Sequence, residues 1–345
     1  MRVIRYVIVV AVLLAASRSA LRAQAQALDA GQVLAATREA LGGEQKLTAV
    51  KTFVATGRTR QIRGNNLVPI EFEINCELPD KFVRKDEIPA QDTDPTTTGF
   101  QGDELIQFPA PPAGPDRAGG PGPAGRAGTV PPPNAGRAEG PPSAEGRGRG
   151  GPPLTPAQQR VATIKQDFAR LTLGIFAASF PSYPLTFKYA AQGEAPEGKA
   201  DILDVTGPGN FSARLVIQQA THLPVMLMWQ VPATNAIVRV PGQPLPDPVP
   251  PGAVIVDAPA PPAANASQED RNQYATTVAD LRRQALAQAK PVDYRIYYAD
   301  FRDVNGLKWP FRIRRSIAGE TIEETTFDRI RLNVKIDPRK FEVPK

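Results

Sequence analysis

Carboxylates are the first side chains in this sequence that suggest chemistry. In PIEFEINCEL, residues 69–78, Glu71, Glu73 and Glu77 recur on alternate positions around Asn75, and Glu323 and Glu324 are adjacent late in the chain. Two carboxylates at a suitable separation do glycosidase work, one as acid and one as base or nucleophile. Between these acids, however, stand Ile70, Phe72, Ile74, Cys76 and Leu78. Strand side chains change face at every residue, so the pattern predicts a half-buried strand with its acids toward solvent. Arg312, Arg314, Arg329 and Arg331 alternate in the same way. They either balance such acids across neighbouring strands or form a basic patch for a headgroup.

Other catalytic constellations lack parts. His222 is the one histidine and sits before Leu223-Pro224 in a turn signal. A triad needs a histidine base between a nucleophile and an orienting acid, and zinc sites need several His or Cys ligands. GPGN, residues 207–210, joins two strand patterns and reads as a turn, not a phosphate loop. The expectation is no cofactor, no metal and no catalytic residue, hence not an enzyme. Cys76, the single cysteine, has no disulfide partner within the chain and reads as a small buried hydrophobe.

The N-terminus reads as an export signal over residues 1–27. Arg2 and Arg5 precede an apolar run from Tyr6 to Ala16, and small-x-small cleavage sites follow at residues 23–27. Four of the arginines lie in that segment, so the net charge of +6 falls to +2 for residues 28–345. Binding by a whole-protein basic field is not indicated, so nucleic acid is not an expected partner. No later stretch reads as transmembrane, and no cysteine follows the signal to carry a lipid. The mature chain is expected to be periplasmic and not membrane-spanning.

The elements that must position these residues are mostly strands. Helical spacing covers Leu28–Leu41, ending at Gly42-Gly43, with a short turn over Glu44–Val50. Strand patterns follow at 51–63, 69–78, 80–88 and 104–108. Residues 109–154 hold 13 Pro and 12 Gly and read as a disordered insertion. Thr155-Pro156 opens a helix to about Phe180, with Val161, Ile164, Phe168, Leu171 and Ile175 on one face. Antiparallel hairpins run from Leu185 to Val231, then a Pro-rich loop, 241–267, and a largely polar helix over 268–289. Three strands close the chain from Val292. Asn305-Gly306 is a strong hairpin signal, and a phase change near Phe327 predicts a bulge.

The expected fold is α+β, mainly β, with about ten antiparallel strands. Such a sheet must cover its apolar face, and the helices are the available cover. The inward residues Phe72, Ile74, Phe168, Phe187, Tyr189, Leu215, Leu227, Trp229, Trp309 and Phe311 either fill the interior or line a cavity for an apolar guest. Periodicity does not separate the two.

Several stretches carry a family resemblance. DVNGLKWP (Asp303–Pro310), NVKIDPRKF (Asn333–Phe341), EALGGEQKLTAVKTFVATG (Glu39–Gly57) and THLPVMLMW (Thr221–Trp229) are similar to exported bacterial proteins of the LolA/LolB-like lipoprotein-sorting class. The resemblance implies one domain over 28–345, an unclosed antiparallel β-barrel with helices covering its concave face. It also implies a carrier that holds the acyl chain of a lipid or lipoprotein there; the ten inward residues, read from strand alternation and helix spacing rather than from the resemblance, are its expected lining. The alternative is a non-catalytic envelope sensor whose filled barrel binds a protein partner.

Overall fold

The computed structural model describes residues 29–91, 93–110, 154–195 and 197–343. The expected signal, 1–27, lies outside the described residues, as does the expected disordered insertion but for residues 109, 110 and 154.

Two short helices, α1 (Ala30–Ala40) and α2 (Glu44–Ala49), lead into five strands. These are β1 (Thr52–Arg63), β2 (Asn66–Glu77), β3 (Lys81–Glu87), β4 (Thr96–Gln101) and β5 (Glu104–Phe108). Helix α3 (Pro156–Phe176) precedes β6 (Thr186–Ala195), β7 (Gly198–Gly207), β8 (Phe211–Gln218) and β9 (Pro224–Val231). Then come β10 (Ala236–Arg239), β11 (Val254–Asp257), α4 (Gln268–Gln288), β12 (Val292–Val304), β13 (Leu307–Ile317), β14 (Glu320–Leu332) and a 3-10 turn, Pro338–Phe341.

Twelve strands form one sheet in the order β5-β4-β3-β2-β1-β14-β13-β12-β9-β8-β7-β6. Every pairing in it is antiparallel, and its end strands β5 and β6 do not meet, so the barrel stays open. The expected bulge is present. The β1–β14 register shifts between Thr56 and Gly57, and leaves Asp328 unpaired in the ladder. A side chain at Gly57 would place its Cβ 2.2 Å from the Thr326 carbonyl oxygen, so this crowded crossing needs glycine.

The sheet curls around α3. Lys165 Nζ reaches Asp103, in the β4–β5 turn, at 2.6 Å. The next residue, Gln166, donates to the Gly209 carbonyl, in the β7–β8 turn, at 3.2 Å. One helix therefore touches turns near opposite ends of the strand order. Its start follows from the capping box of Thr155 and Gln158, with Pro156 at the first position. Its end comes four residues before the expected Phe180. Ala177 turns into the left-handed region at φ 45°, and Phe180 folds back onto Phe176 and Phe168, with centroids 5.7 and 6.1 Å away.

Helix α4, whose largely polar sequence leaves its docking open, takes no part in covering the concave face. It buries no residue and lies beside the small parallel pair β10–β11, where the Tyr274 hydroxyl donates to the Pro259 carbonyl at 3.4 Å. Within the Pro-rich loop, β11 is ordered by that pairing.

On β2 the alternation holds, with Ile70, Phe72, Ile74 and Cys76 all buried. Burial pushes the Cys76 thiol well above its ordinary pKa, in keeping with a packed hydrophobe. The acidic face is not wholly open to solvent. The C-terminal turn crosses it, seats Phe341 against Val83 and Ile106, and leaves Asn75 only 4% exposed. Lys340 Nζ meets Glu73 at 2.8 Å, and Asn75 donates to the same carboxylate at 2.7 Å. Burial would raise the Glu73 pKa, but Lys340 and Asn75 outweigh it and hold the group below its usual value. A depressed folded pKa adds stability above the unfolded value and loses it as pH falls through the folded one. Glu73→Gln should therefore cost about 0.5–1 kcal/mol at neutral pH. The gap to the parent should close in urea titrations run below the ordinary glutamate pKa.

Candidate functional site

The concave face of the sheet is the candidate site. Along β1 its inward residues run Phe53, Ala55, Gly57, Thr59 and Gln61; along β13 they run Trp309, Phe311, Ile313 and Arg315. On β14, between those strands, they run Leu332, Ile330, Phe327, Thr325 and Glu323. The trough is thus graded, with large apolar groups at one end and hydroxyl, amide and charged groups at the other.

The apolar end is a continuous aromatic stack. Phe53 and Phe176 both lie edge-on to Trp309, at 5.2 and 5.7 Å, while Phe82 and Phe100 close on Phe168 at 5.3 and 5.5 Å. Helices α1 and α2 cap this end against the β12–β13 hairpin, where the Lys308 amide donates to the Leu41 carbonyl at 2.8 Å.

The polar end is a bonded chain. Arg84 reaches Asp86 at 2.7 Å and donates to Thr59 at 3.2 Å. Thr59 and Thr325 share a hydrogen bond of 2.8 Å, and Thr325 donates to Glu323 at 3.3 Å. Arg315 lies 3.7 Å from the Glu323 carboxylate. The Arg84 guanidinium also sits 4.7 Å above the Phe72 ring. Burial works against its charge, but Asp86 and Glu323 overcome that and hold its pKa above the ordinary arginine value.

Helix α3 adds Arg170, which is paired with Asp167 at 2.8 Å and lies over Trp229 at 4.4 Å and Phe211 at 5.3 Å. The Tyr298 hydroxyl donates to the Arg170 carbonyl at 2.6 Å, tying the helix to β12. Burial raises the pKa of that phenol, so it stays a protonated donor.

The ten residues expected to line a cavity all lie on the inner face or on α3. Seven of them, Phe72, Ile74, Phe168, Leu215, Leu227, Trp309 and Phe311, are buried by the chain itself. Phe187 and Tyr189 on the edge strand β6, and Trp229, are half-buried at the margin. Two clefts, of about 540 and 320 Å³, lie elsewhere. The first is lined by Lys290, Asp293 and Arg295 among others, the second by Arg239 and Asp257.

The sequence reading missed Arg84, Asp86, Thr59 and Arg315. A signal existed: Phe82, Arg84 and Asp86 share one strand face, so an inward Phe82 takes both charges inward with it. Of the late acid pair, Glu323 points into the trough, while Glu324 pairs outward between Arg60 and Arg314. Glu77 is bridged to Lys81 at 3.3 Å. Among the described residues, no group of three or more His, Cys, Asp or Glu is placed to hold a metal, and no helix is long and apolar enough to cross a membrane.

No family model matches the chain, and no curated protein matches it. Among solved structures, it is similar to a LolA superfamily protein from Nitrosomonas europaea, with TM-score 0.44 and 11% identity, covering 91% of this chain and 98% of that one. A DUF1329 family protein from Desulfovibrio piger gives TM-score 0.38 and 6% identity, covering 91% and 97%. A domain described as a candidate outer membrane lipoprotein-sorting protein, from Vibrio parahaemolyticus, gives 0.37 and 6%, covering 86% and 93%.

Proposed function

We propose that this chain is an exported, non-catalytic periplasmic carrier whose graded trough takes one acyl chain of a lipid or lipoprotein, and that α3 occupies the trough in its closed state. The observation that carries this reading is the gradient itself. An acylated ligand is apolar along its tail and polar at its head, and the trough runs from Trp309 and Phe53 to Arg84, Thr59 and Arg315 in the same order.

The magnitudes permit exchange. Withdrawing α3 would expose Val161, Phe168, Leu173, Ile175 and Phe176, at about 1.5–3 kcal/mol each, or roughly 8–15 kcal/mol together. A dozen buried methylenes return about 10 kcal/mol. Helix and tail are thus near-equal occupants, as reversible loading requires. Phe187, Tyr189 and Trp229, half-buried at the margin, are the first apolar contacts for an entering tail.

One observation favours a second reading, a filled module that binds an envelope protein: seven of the ten lining residues are already buried. A fluorescent fatty acid titrated into the purified chain separates the two. The carrier should show saturable uptake, competed by unlabelled fatty acid, and native mass spectrometry should show acyl species bound. No uptake, with a clean unliganded mass, gives the place to the filled module.

A further inference from the structure

We infer that the outer face of the sheet docks on a bilayer rich in anionic headgroups, through six arginines at its crest. Arg58 and Arg60 on β1, Arg329 and Arg331 on β14, and Arg312 and Arg314 on β13 are all exposed. Their strands stand fifth, sixth and seventh of twelve in the sheet order. Because the sheet curls around α3, these central strands form the outermost ridge, the part of a convex surface that first meets a plane.

Register places the arginines in rungs. Arg60, Glu324 and Arg314 lie in one row across three strands; Arg58, Thr326 and Arg312 lie in the next. Arginines two strands apart are separated by roughly 10 Å, about one Debye length, so their fields add. The acids on or beside this ridge are Glu324, Asp328 (3.2 Å from Arg58), Glu71, opposite Arg58, and Asp300, which interacts with Arg312 and is paired with Arg302 at 2.6 Å. With Arg302 counted beside Asp300, seven cations against four anions leave a local charge of +3, whereas residues 28–345 carry +2, all of it from the five arginines and three acids of residues 109–154. The ridge is therefore a basic patch on a body that is otherwise acidic by the same amount, not the source of the chain's net charge.

The shape selects a membrane over nucleic acid. Single strands need a groove with open rings for stacking. On this ridge the Tyr297 ring is already covered by Arg314, whose guanidinium lies 4.5 Å from its centroid. A convex row of guanidinium groups matches a plane of phosphates instead.

The inference is independent of acyl carriage, because docking is read by partitioning and carriage by uptake. The full chain is sedimented with phosphatidylglycerol–phosphatidylcholine vesicles and with pure phosphatidylcholine vesicles, at low and high salt. Binding should need the anionic lipid and fall steeply with salt. Arg312→Gln/Arg314→Gln should weaken it about 25-fold, roughly fivefold per charge. Arg214→Gln, at an exposed pair with Asp204 on β7–β8, should leave it unchanged. Circular dichroism melts matching the parent ensure that folding is not what is read. Equal binding to neutral vesicles, no binding at low salt, or a double variant that binds like the parent overturns the inference. Tighter binding to polyglutamate than to anionic vesicles also overturns it, assigning the ridge to an acidic protein.

Discussion

Phe168→Ala should lower stability by about 3–5 kcal/mol, the largest single effect expected in this chain. Phe168 is 1% exposed and sits where α3 meets β3 and β4. Its ring has Phe82, Phe100 and Phe180 around it at 5.3, 5.5 and 6.1 Å. Truncation removes the aromatic burial and leaves a void that the hydrogen-bonded backbones of β3 and β4 cannot collapse to fill. Chemical denaturation gives the number. The same variant also bears on function. If α3 is an exchangeable occupant, weakening its seat should raise the affinity for a fluorescent fatty acid, because less helix burial must be given up. If the barrel is simply filled, stability falls and uptake stays at zero.

Gly174→Ala should cost about 1–3 kcal/mol through the opposite fault, overpacking. Its Cβ would lie 2.2 Å from the Tyr298 ring, with further ring atoms at 2.4 and 2.5 Å. That ring has little freedom to retreat, since its hydroxyl is bonded to the Arg170 carbonyl one turn earlier on the same helix. Relief must come from moving α3 off β12. Adding Tyr298→Leu should recover part of the loss, so the double variant is more stable than the sum of the two single losses predicts. Strict additivity in that cycle would mean that the helix and the ring do not share the contact.

Both effects concern one interface, α3 against the inner face, and the sequence shows its two sides unequally. The apolar stripe of α3, its Thr155 cap and the alternation on β2, β8 and β13 are local properties. A helix repeats every 3.6 residues and a strand every two, so each element's inward face can be read without knowing its neighbours. The same holds for the Asn305-Gly306 hairpin, which turns with φ 56° and 81° as that pair favours. The bulge opposite Gly57 was visible as a change of phase. Strand β4, TTTGFQ, was not visible: three threonines and a glycine give it little contrast, and it is held as a strand by its ladders to β3 and β5.

The sequence by itself determined which side of each strand is apolar, that helices would cover the sheet, and which face of α3 would do so. The tertiary structure alone decided what that apolar side meets. Whether a curved sheet encloses a space depends on its accumulated twist, its bulges and the seating of α3, and these are sums over twelve strands rather than properties of any one. Asn75 is buried because a C-terminal turn, 265 residues further along at Lys340, folds over it, and Arg84 meets Thr59 because β1, β2 and β3 align in register. Alternation gives direction, and direction becomes environment only when distant segments arrive.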